Sequence, residues 1–333
     1  MDKVKFLIIR FSSIGDIVLT TPVVRMLKKQ VENAEVHYLT KAKFRYLVDA
    51  NPHIDKVHAY DGNMVALLES LKDEGFDYVI DLHRNLRSMR VKNALRRMAF
   101  SFRKLNFRKW IYVRYKINRM PNLHIVDRYL ETVSLFDVQN DNQGLDYFFS
   151  KGFTPDFQIP DSHKKGYIVA VLGANHVTKQ IPNIQLVEIL NNAEKPVVLL
   201  GGENEKIIAS ELKKDLTIPV FDQCGKVSVD GSAHLIENAK IVLTPDTGMM
   251  HIAAALEKQI VSIWGNTTPE LGMYPYMPQK PENFFIAEVK GLSCRPCSKI
   301  GFKKCPKRHF DCMMKQDIPA IVSQINFYWN RNE

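Results

Sequence analysis

Residues 4–16 read VKFLIIRFSSIGD, a continuous apolar run followed by a short loop that carries hydroxyls, a glycine and a carboxylate. A run without polar alternation is typical of a strand whose two faces are both covered, as in a parallel sheet flanked by helices. Similar runs recur along the chain. The strands that they predict are Val4–Arg10, Val36–Leu39, Lys56–Tyr60, Tyr78–Leu82, Tyr167–Leu172, Pro196–Leu200, Ile241–Leu243 and Ile260–Trp264.

Helix-like patterns fill the intervals between these strands. They are Pro22–Gln30, Met64–Lys72, Leu123–Leu135, Ile184–Asn191, Glu203–Lys213, Ala233–Asn238 and Met249–Glu257, and a last one, Ile318–Trp329, ends the series. Two successive series of alternating strands and helices predict an α/β fold with two doubly wound domains, which suits 333 residues. Prolines and polar residues between 153 and 165 place the boundary there, with domains at 1–155 and 163–333.

The composition narrows the class of protein. Hydrophobic residues make up 45% of the chain and charged residues 25%, as in an ordinary globular protein, and no run approaches 18 apolar residues. Because the first residues lack the pattern of a signal peptide, we expect a cytoplasmic protein. The five cysteines do not resemble a secreted disulfide framework, since four of them lie between Cys294 and Cys312.

The net charge of +10 is concentrated in one segment, Arg84–Arg119. This basic segment holds nine Arg, four Lys and no acidic residue, so it carries +13 while the rest of the chain carries −3. Such a segment favours binding to phosphates of a lipid, a nucleic acid or a membrane surface. A solvated helical face is the alternative interpretation.

The loop after the first strand, residues 11–16, is a candidate site because ligands of open parallel sheets bind at the carboxyl ends of strands. Asp16 would stand there as a free carboxylate, and the alternative is that Asp16 or Ser13 caps a helix. The loop lacks the G-x-G-x-x-G pattern of dinucleotide enzymes. The chain also lacks the G-x-x-x-x-G-K-[ST] loop of NTPases.

Three further loops come after strands of the second series. Lys179 lies just before Pro182, where a helix can start and a phosphate can bind; a solvated lysine is the alternative. Glu203 follows two glycines and could accept hydrogen bonds from a ribose or could favour a helix N-terminus. The segment 244–255, TPDTGMMHIAAA, combines a hydroxyl, small residues and a histidine at a helix N-terminus, which favours a diphosphate site over a merely structural cap.

Two of these motifs resemble a known family. RFSSIGDIVLTTP at residues 10–22 is similar to the N-terminal signature of glycosyltransferase family nine, the lipopolysaccharide heptosyltransferases, and PDTGMMHIAA at residues 245–254 resembles its nucleotide-sugar motif. The cysteine-rich segment 294–314 is also similar to many members. The resemblance implies a GT-B fold, in which two Rossmann-like domains face a cleft and the C-terminal helix, residues 318–330, crosses back to the first domain.

The resemblance further implies an inverting transfer of a heptose-type sugar from a nucleotide sugar such as ADP-heptose to the lipopolysaccharide core, without a catalytic cofactor or metal. Asp16 matches the general base. The residues that match the donor site are Thr178, Lys179, Glu203, Asp246, Thr247, Gly248 and His251. We expect acceptor contacts from the loops of the first domain at Ser13, Gly15, Arg84 and Arg87.

The acceptor, a lipopolysaccharide core or lipid A, is anionic and lies in the inner membrane. We therefore assign Arg84 and Arg87 to acceptor phosphates, and Arg96–Arg119 to peripheral docking on the anionic membrane surface rather than to nucleic acid. Two alternatives remain open: a GT-B transferase or epimerase for another nucleotide sugar, and a nucleic-acid-binding protein that uses the basic segment and its interleaved aromatic residues.

The spacing of the clustered cysteines allows a metal site. Three or four of the thiolates could hold one structural zinc ion tetrahedrally, with a metal-free loop of thiols as the alternative. The candidate ligands are Cys294, Cys297, Cys305 and Cys312, and His309 lies among them.

Overall fold

The computed structural model describes residues 3–331. The elements of its first half are β1 (Val4–Ile9), α1 (Ile14–Val18), α2 (Thr21–Gln30), β2 (Ala34–Lys41), α3 (Tyr46–Asp49), β3 (Lys56–Tyr60), α4 (Met64–Asp73), β4 (Tyr78–Asp81), α5 (Leu86–Leu95), β5 (Met98–Ser101), α6 (Asn106–Tyr115) and α7 (Ile125–Leu130). Those of the second half are β6 (Ile168–Val171), α8 (Asn183–Ala193), β7 (Val197–Leu200), α9 (Lys206–Asp215), β8 (Val220–Asp222), α10 (Val229–Glu237), β9 (Ile241–Pro245), α11 (Gly248–Ala255), β10 (Gln259–Trp264), β11 (Phe284–Glu288), α12 (Asp311–Met314) and α13 (Ile318–Arg331).

The chain forms two compact units. Of the described residues, 3–104 and 123–153 form one unit, and 105–122 and 154–331 form the other. The segment 105–122, which the sequence placed in the first domain, is grouped with the second unit for a physical reason. Tyr112 of α6 accepts a hydrogen bond from the Thr268 hydroxyl at 3.4 Å, and the Lys116 ammonium donates to the carbonyl of Pro296 at 2.6 Å.

The first unit contains a five-stranded parallel sheet in the order β3-β2-β1-β4-β5. The strand order reverses between β1 and β4, so the carboxyl ends of these two strands form the crevice at which doubly wound sheets bind ligands. Leu7, Ile9 and Leu39 line one core of this unit, together with Leu71 and Phe76 from the α4 side.

The second unit contains a six-stranded parallel sheet in the order β11-β10-β9-β6-β7-β8. This is the Rossmann order, and its reversal falls between β6 and β9. Every residue of β6, β7, β9 and β10 is buried, as the unbroken apolar runs predicted.

The last helix differs from the expectation that it crosses back to the first domain. Ile321, Ile325 and Tyr328 of α13 lie in the hydrophobic core of the second unit, against α8, β9 and β10. The ammonium groups of Lys195 and Lys240 stand over the Trp329 ring, 5.3 Å and 4.6 Å from its centroid. Apolar residues recur every three to four positions along α13, so they form one face of the helix, and this face packs on the core.

No helix within residues 3–331 combines the length and the apolar character that crossing a membrane requires.

Candidate active site

The loop after β1 places Asp16 in the first turn of α1, at the reversal point of the first sheet. One Asp16 carboxylate oxygen is 2.7 Å from the Arg10 guanidinium, and the other accepts hydrogen bonds from the Ser13 hydroxyl at 2.8 Å and the Ser13 amide at 3.2 Å. The side chain remains 24% exposed. Asp16 therefore completes a capping box and also presents a carboxylate at the edge where ligands bind.

Arg10 determines the charge state of Asp16. Burial by itself would raise the pKa of Asp16, but the Arg10 charge and the Ser13 hydrogen bonds outweigh it and hold the pKa below its ordinary value. Arg10 is fixed in turn, because its guanidinium donates to the carbonyl of Ser12 at 2.8 Å and to the Tyr129 hydroxyl at 3.0 Å. Asp16 is consequently an oriented, ionised carboxylate at neutral pH.

The loop after β4 lies beside that of β1 and holds the two arginines assigned to the acceptor. Asp81 shapes this loop by accepting from the amides of His83 at 3.1 Å and Arg84 at 2.7 Å. Arg84 adopts a left-handed φ of 52° and donates to the carbonyl of Phe102 at 3.2 Å, while Arg87 stands 6.0 Å from the centroid of the Tyr60 ring. Arg84 and Arg87 are both exposed at the carboxyl end of the sheet.

His83 adds an uncharged imidazole to this crevice. Burial, followed by the charges of Arg10 and Lys104, lowers the pKa of His83 to about 4. Its ring packs edge-on against Phe11, with centroids 5.5 Å apart.

The second unit brings two predicted donor loops together at its own reversal point. The Lys179 ammonium, after β6, is 2.5 Å from an Asp246 carboxylate oxygen, after β9. The same oxygen accepts a hydrogen bond from the Thr267 hydroxyl at 3.0 Å. Since β6 and β9 are adjacent although far apart in sequence, only the crossover of the sheet makes this pair possible.

Helix α11 begins beside the Lys179–Asp246 pair. Thr247 is its N-cap and Gly248 its first residue, and the Thr247 hydroxyl lies 3.3 Å from that of Thr244. His251 is buried one turn further along the helix. The backbone amides of the first turn and the Lys179 ammonium offer positive charge at one place, which suits a diphosphate.

Thr178 was predicted to contact the sugar donor, but its polar groups pair with the protein backbone. Its hydroxyl and amide both pair with the backbone of Phe302, at 2.8–3.2 Å, and the residue is 2% exposed. This pairing anchors the Lys179 loop to the cysteine-rich segment, so Thr178 orients Lys179.

The two acidic residues after β7, Glu203 and Glu205, differ in exposure and in their contacts. Glu203 is 73% exposed and pairs with Lys206 at 2.7 Å. Glu205 is half-buried and accepts from the Gly202 amide at 2.8 Å. A Cβ at Gly173 would lie 3.0–3.3 Å from the Glu205 carboxyl group, so that group lies against the loop after β6. Glu205 therefore faces the strand ends, whereas the sequence predicted Glu203 as the acid that contacts the donor.

The cysteines are not gathered into the predicted zinc site. Within residues 3–331 they form no group of three ligand atoms close enough to share an ion. Cys297 donates to the carbonyl of Cys294 at 2.9 Å, the Cys294 sulfur is 3.9 Å from His309 Nε2, and Cys312 is buried. Burial raises the pKa of Cys297 to about 11 and that of Cys312 to about 12, which favours neutral thiols.

Sequence reasoning missed Arg10, Asp81, His83 and Glu205. Arg10 and Asp81 stand at the ends of apolar strands, and a charged residue at such a position was the signal available in the sequence. The position of Glu205 depends on the turn before α9, for which no pattern in the sequence gave a cue.

Solved structures share this fold of two Rossmann-like domains. The structure of E. coli ADP-heptose lps heptosyltransferase II superposes with a TM-score of 0.71 at 17% identity, over 98% of this chain and 99% of that one. The structure of E. coli heptosyltransferase WaaC with ADP superposes with a TM-score of 0.68 at 18% identity, over 97% and 99%. The fold is therefore of the expected class, an α/β fold with two Rossmann-like doubly wound domains, as in these heptosyltransferase structures.

The sequence comparisons give the family. Lipopolysaccharide heptosyltransferase 1 of Campylobacter coli is 24% identical over 292 residues, which are 79% of this chain and 84% of that protein. Residues 64–301 match glycosyltransferase family 9 (heptosyltransferase). The chain belongs to this family, so the family prediction is confirmed and the protein is an enzyme that transfers a sugar.

Proposed function

We propose that this glycosyltransferase transfers a heptose from ADP-heptose to the core of lipopolysaccharide, with inversion at the anomeric carbon. The donor and the acceptor are those for which its relatives are named. The observation that carries the proposal is the Lys179–Asp246 pair at 2.5 Å, which unites two donor-motif loops at the reversal point of the second sheet.

The second unit binds the donor in this proposal. Asp246 holds the Lys179 ammonium in place before the donor arrives, and the diphosphate then receives both that ammonium and the amides of α11 at Thr247 and Gly248. These groups stabilise the negative charge that grows on the departing diphosphate. His251 and Thr178 support the site from buried positions. Glu205, and Glu203 beside it, are the acids available to the nucleoside.

The first unit supplies the base and binds the acceptor. The acceptor hydroxyl attacks the anomeric carbon as the bond to the diphosphate breaks, ADP leaves, and the hydroxyl proton passes to Asp16. A low pKa keeps Asp16 ionised, and the Arg10 and Ser13 contacts aim its carboxylate. Gly15 is buried in the same turn. The exposed Arg84 and Arg87 pair with acceptor phosphates.

Helix α6 is the proposed docking surface on the anionic face of the inner membrane, which makes the enzyme a peripheral cytoplasmic protein. Phe107, Trp110 and Tyr115 are 71%, 52% and 56% exposed, and Arg108 and Arg114 lie among them. Exposed aromatic rings beside arginines are typical of membrane interfaces. Tyr112 does not belong to this surface, because it is buried against the second unit.

The donor is tested by the melting temperature of the protein with ADP, UDP, GDP and CDP. A ligand that binds only the folded state stabilises it by about 2.7 kcal/mol at one hundred times its Kd. We expect ADP to give the largest rise, and we expect ADP-heptose to be consumed only when a lipopolysaccharide-core acceptor is present. A larger rise with another nucleotide contradicts the donor assignment. Release of free sugar without acceptor supports an epimerase-type or hydrolytic reaction.

A further inference from the structure

Three side chains that the proposed transfer does not use converge in the first unit. His37 Nδ1 lies 3.0 Å from His58 Nε2 and 3.8 Å from a Glu74 carboxylate oxygen, and His58 Nε2 lies 4.0 Å from the other oxygen of Glu74. Among residues 3–331 this is the only trio of His, Cys, Asp or Glu whose ligand atoms all fall within 4.8 Å of one another. Both histidines are buried, and the Glu74 side chain is 14% exposed.

The fold brings these residues together from distant parts of the sequence. In the parallel pairing of β2 and β3, His37 is opposite Lys56 and Leu39 is opposite His58, so the two imidazoles occupy diagonal positions on one face of the sheet. Glu74 is the C-cap residue of α4, which packs on that face. The cluster is therefore built by β2, β3 and the end of α4.

We propose that His37, His58 and Glu74 bind a zinc ion. Two imidazoles and one carboxylate form a ligand set that Zn²⁺ uses in proteins, with a fourth position for water. Metal–ligand bonds of about 2.0–2.2 Å in a tetrahedron place ligand atoms roughly 3.3–3.5 Å apart. The two imidazole nitrogens are 3.0 Å apart and one Glu74 oxygen lies within 4.8 Å of both, so a slight separation of the imidazoles and a rotation of the Glu74 carboxylate toward them complete the geometry.

A second carboxylate orients the first ligand. Glu35 lies 2.8 Å from His37 Nε2, and a carboxylate at this distance accepts a hydrogen bond, so Nε2 carries the proton and the Nδ1 lone pair faces His58 and Glu74. Zinc-bound histidines almost always have such an outer partner.

The surroundings of the cluster also suit a metal. The Phe76 ring packs edge-on against His37 and also contacts His58, with centroids 5.1 Å and 6.0 Å away, and forms an apolar wall.

Three lysines compete with the ion for the carboxylates. Lys56 pairs with the Glu74 carboxylate, Lys5 lies 3.8 Å from Glu35 and donates to the Glu74 carbonyl at 3.0 Å, and Lys3 pairs with Glu35 at 3.0 Å. Only Lys56 occupies an oxygen of a proposed ligand. The Lys56 side chain is 55% exposed, so its ammonium can leave the Glu74 carboxylate for water when zinc binds.

The test is zinc binding by the full-length chain after removal of metal with a chelator. Equilibrium dialysis against micromolar Zn²⁺ and elemental analysis should find one tightly bound ion per chain, and the Cys294→Ser/Cys297→Ser variant should retain it. With Co²⁺ in place of zinc, the absorption spectrum should lack the near-ultraviolet band of sulfur-to-cobalt charge transfer.

Point variants assign the ion to the cluster. H58Q and E74Q should abolish tight binding, and E35Q should weaken it by about 10- to 100-fold. H53Q, a histidine of the same unit outside the cluster, is the matched control and should bind as the wild type does. K56M should bind zinc more tightly, because it frees Glu74, and misfolding cannot mimic this gain.

The proposal is overturned if the wild type binds no zinc, if binding is lost in the cysteine variant but kept in H58Q, or if K56M binds no more tightly than the wild type. The transfer assay is run in parallel without zinc. A protein that binds zinc as expected but transfers no sugar would contradict the proposed function and not the metal site.

Discussion

Asp16 combines two roles in one side chain, since it closes the capping box of α1 and presents an ionised carboxylate at the reversal point of the first sheet. If it is the base, D16N keeps most of the shape and removes the proton acceptor. We expect kcat to fall by about 10² to 10⁴-fold with donor affinity nearly intact, because an amide cannot take the proton. Single-turnover kinetics with saturating donor measure the change.

Asp127 provides the matched control for Asp16. It occupies the same position in the capping box of α7, where it accepts from the His124 amide at 3.0 Å. D127N should therefore show the cost of losing a capping carboxylate, about 1 kcal/mol of stability, with kcat unchanged. Wild-type turnover in D16N would show that Asp16 is only a cap.

Glu205 and Glu203 form a second matched pair of carboxylates. Glu205 contacts the Gly202 amide and lies against the β6 loop, whereas Glu203 projects into solvent beside Lys206. We expect E205Q to raise the donor KM by about 10-fold, through loss of a charge-assisted hydrogen bond worth roughly 1.5 kcal/mol, and E203Q to change it less than 2-fold. The reverse order in steady-state kinetics would restore the sequence-based assignment of Glu203.

At the scale of elements, α6 shows how a basic segment is divided by folding. Residues 84–104 lie in the first unit and residues 105–119 in the second, so the single run of positive charge in the sequence serves two units. Tyr112 and Lys116 tie α6 to the second unit, and its remaining aromatic rings face outward.

The outward face of α6 should bind anionic vesicles. A variant with Arg108→Gln, Lys109→Gln and Arg114→Gln should lose about 1 kcal/mol of vesicle binding per basic residue, roughly 100-fold in total, because the surface potential no longer attracts it. Cosedimentation with phosphatidylglycerol vesicles measures the loss. Turnover on a soluble, truncated acceptor should stay at the wild-type value, and its collapse would place α6 in the active site.

The loop before α5 and the first turn of that helix hold Arg84 and Arg87, which give the complementary prediction. R84A/R87A should raise the acceptor KM by 10-fold or more and leave the donor KM unchanged, since these side chains stand at the carboxyl end of the first sheet, whereas the proposed donor loops belong to the second unit. An equal rise in both constants would argue against a dedicated acceptor contact.

For the whole molecule, His83 should couple stability to pH. Its folded-state pKa of about 4 lies below the ordinary 6.5, so its contribution to stability is present above pH 6.5 and is lost as the pH falls toward 4. The charged groups facing it are Arg10, Lys104, Asp16 and Asp81. Between pH 7 and 5 the loss is at most about 2 kcal/mol.

Denaturant titrations at several pH values test this coupling. The wild type should lose stability from pH 7 to pH 5, and H83Q should lose distinctly less over the same interval. H234Q, a partly exposed histidine of the second unit, serves as the control and should follow the wild-type slope. Parallel slopes for H83Q and the wild type would show that His83 titrates normally.

The sequence alone determined the parallel strands that are buried on both faces. Eight predicted strands are confirmed to within two residues at each end. Seven of them are mostly buried, and a strand covered on both sides leaves an apolar run; the eighth, β3, is an edge strand with one buried residue. The missed strands β5, β8 and β11 lie toward the sheet edges, where half-exposed residues break the run. Helices α5 and α6 were missed because dense positive charge masked their pattern.

The tertiary structure decided which loops meet. Lys179 and Asp246 are 67 positions apart, and His37, His58 and Glu74 come from three elements, yet sheet crossovers bring each set within 4 Å. A sequence indicates which residues come after each strand, and the order of strands in the sheet determines which strand ends are neighbours. That order results from the packing of helices on both faces of each sheet, which depends on all the elements of a unit together.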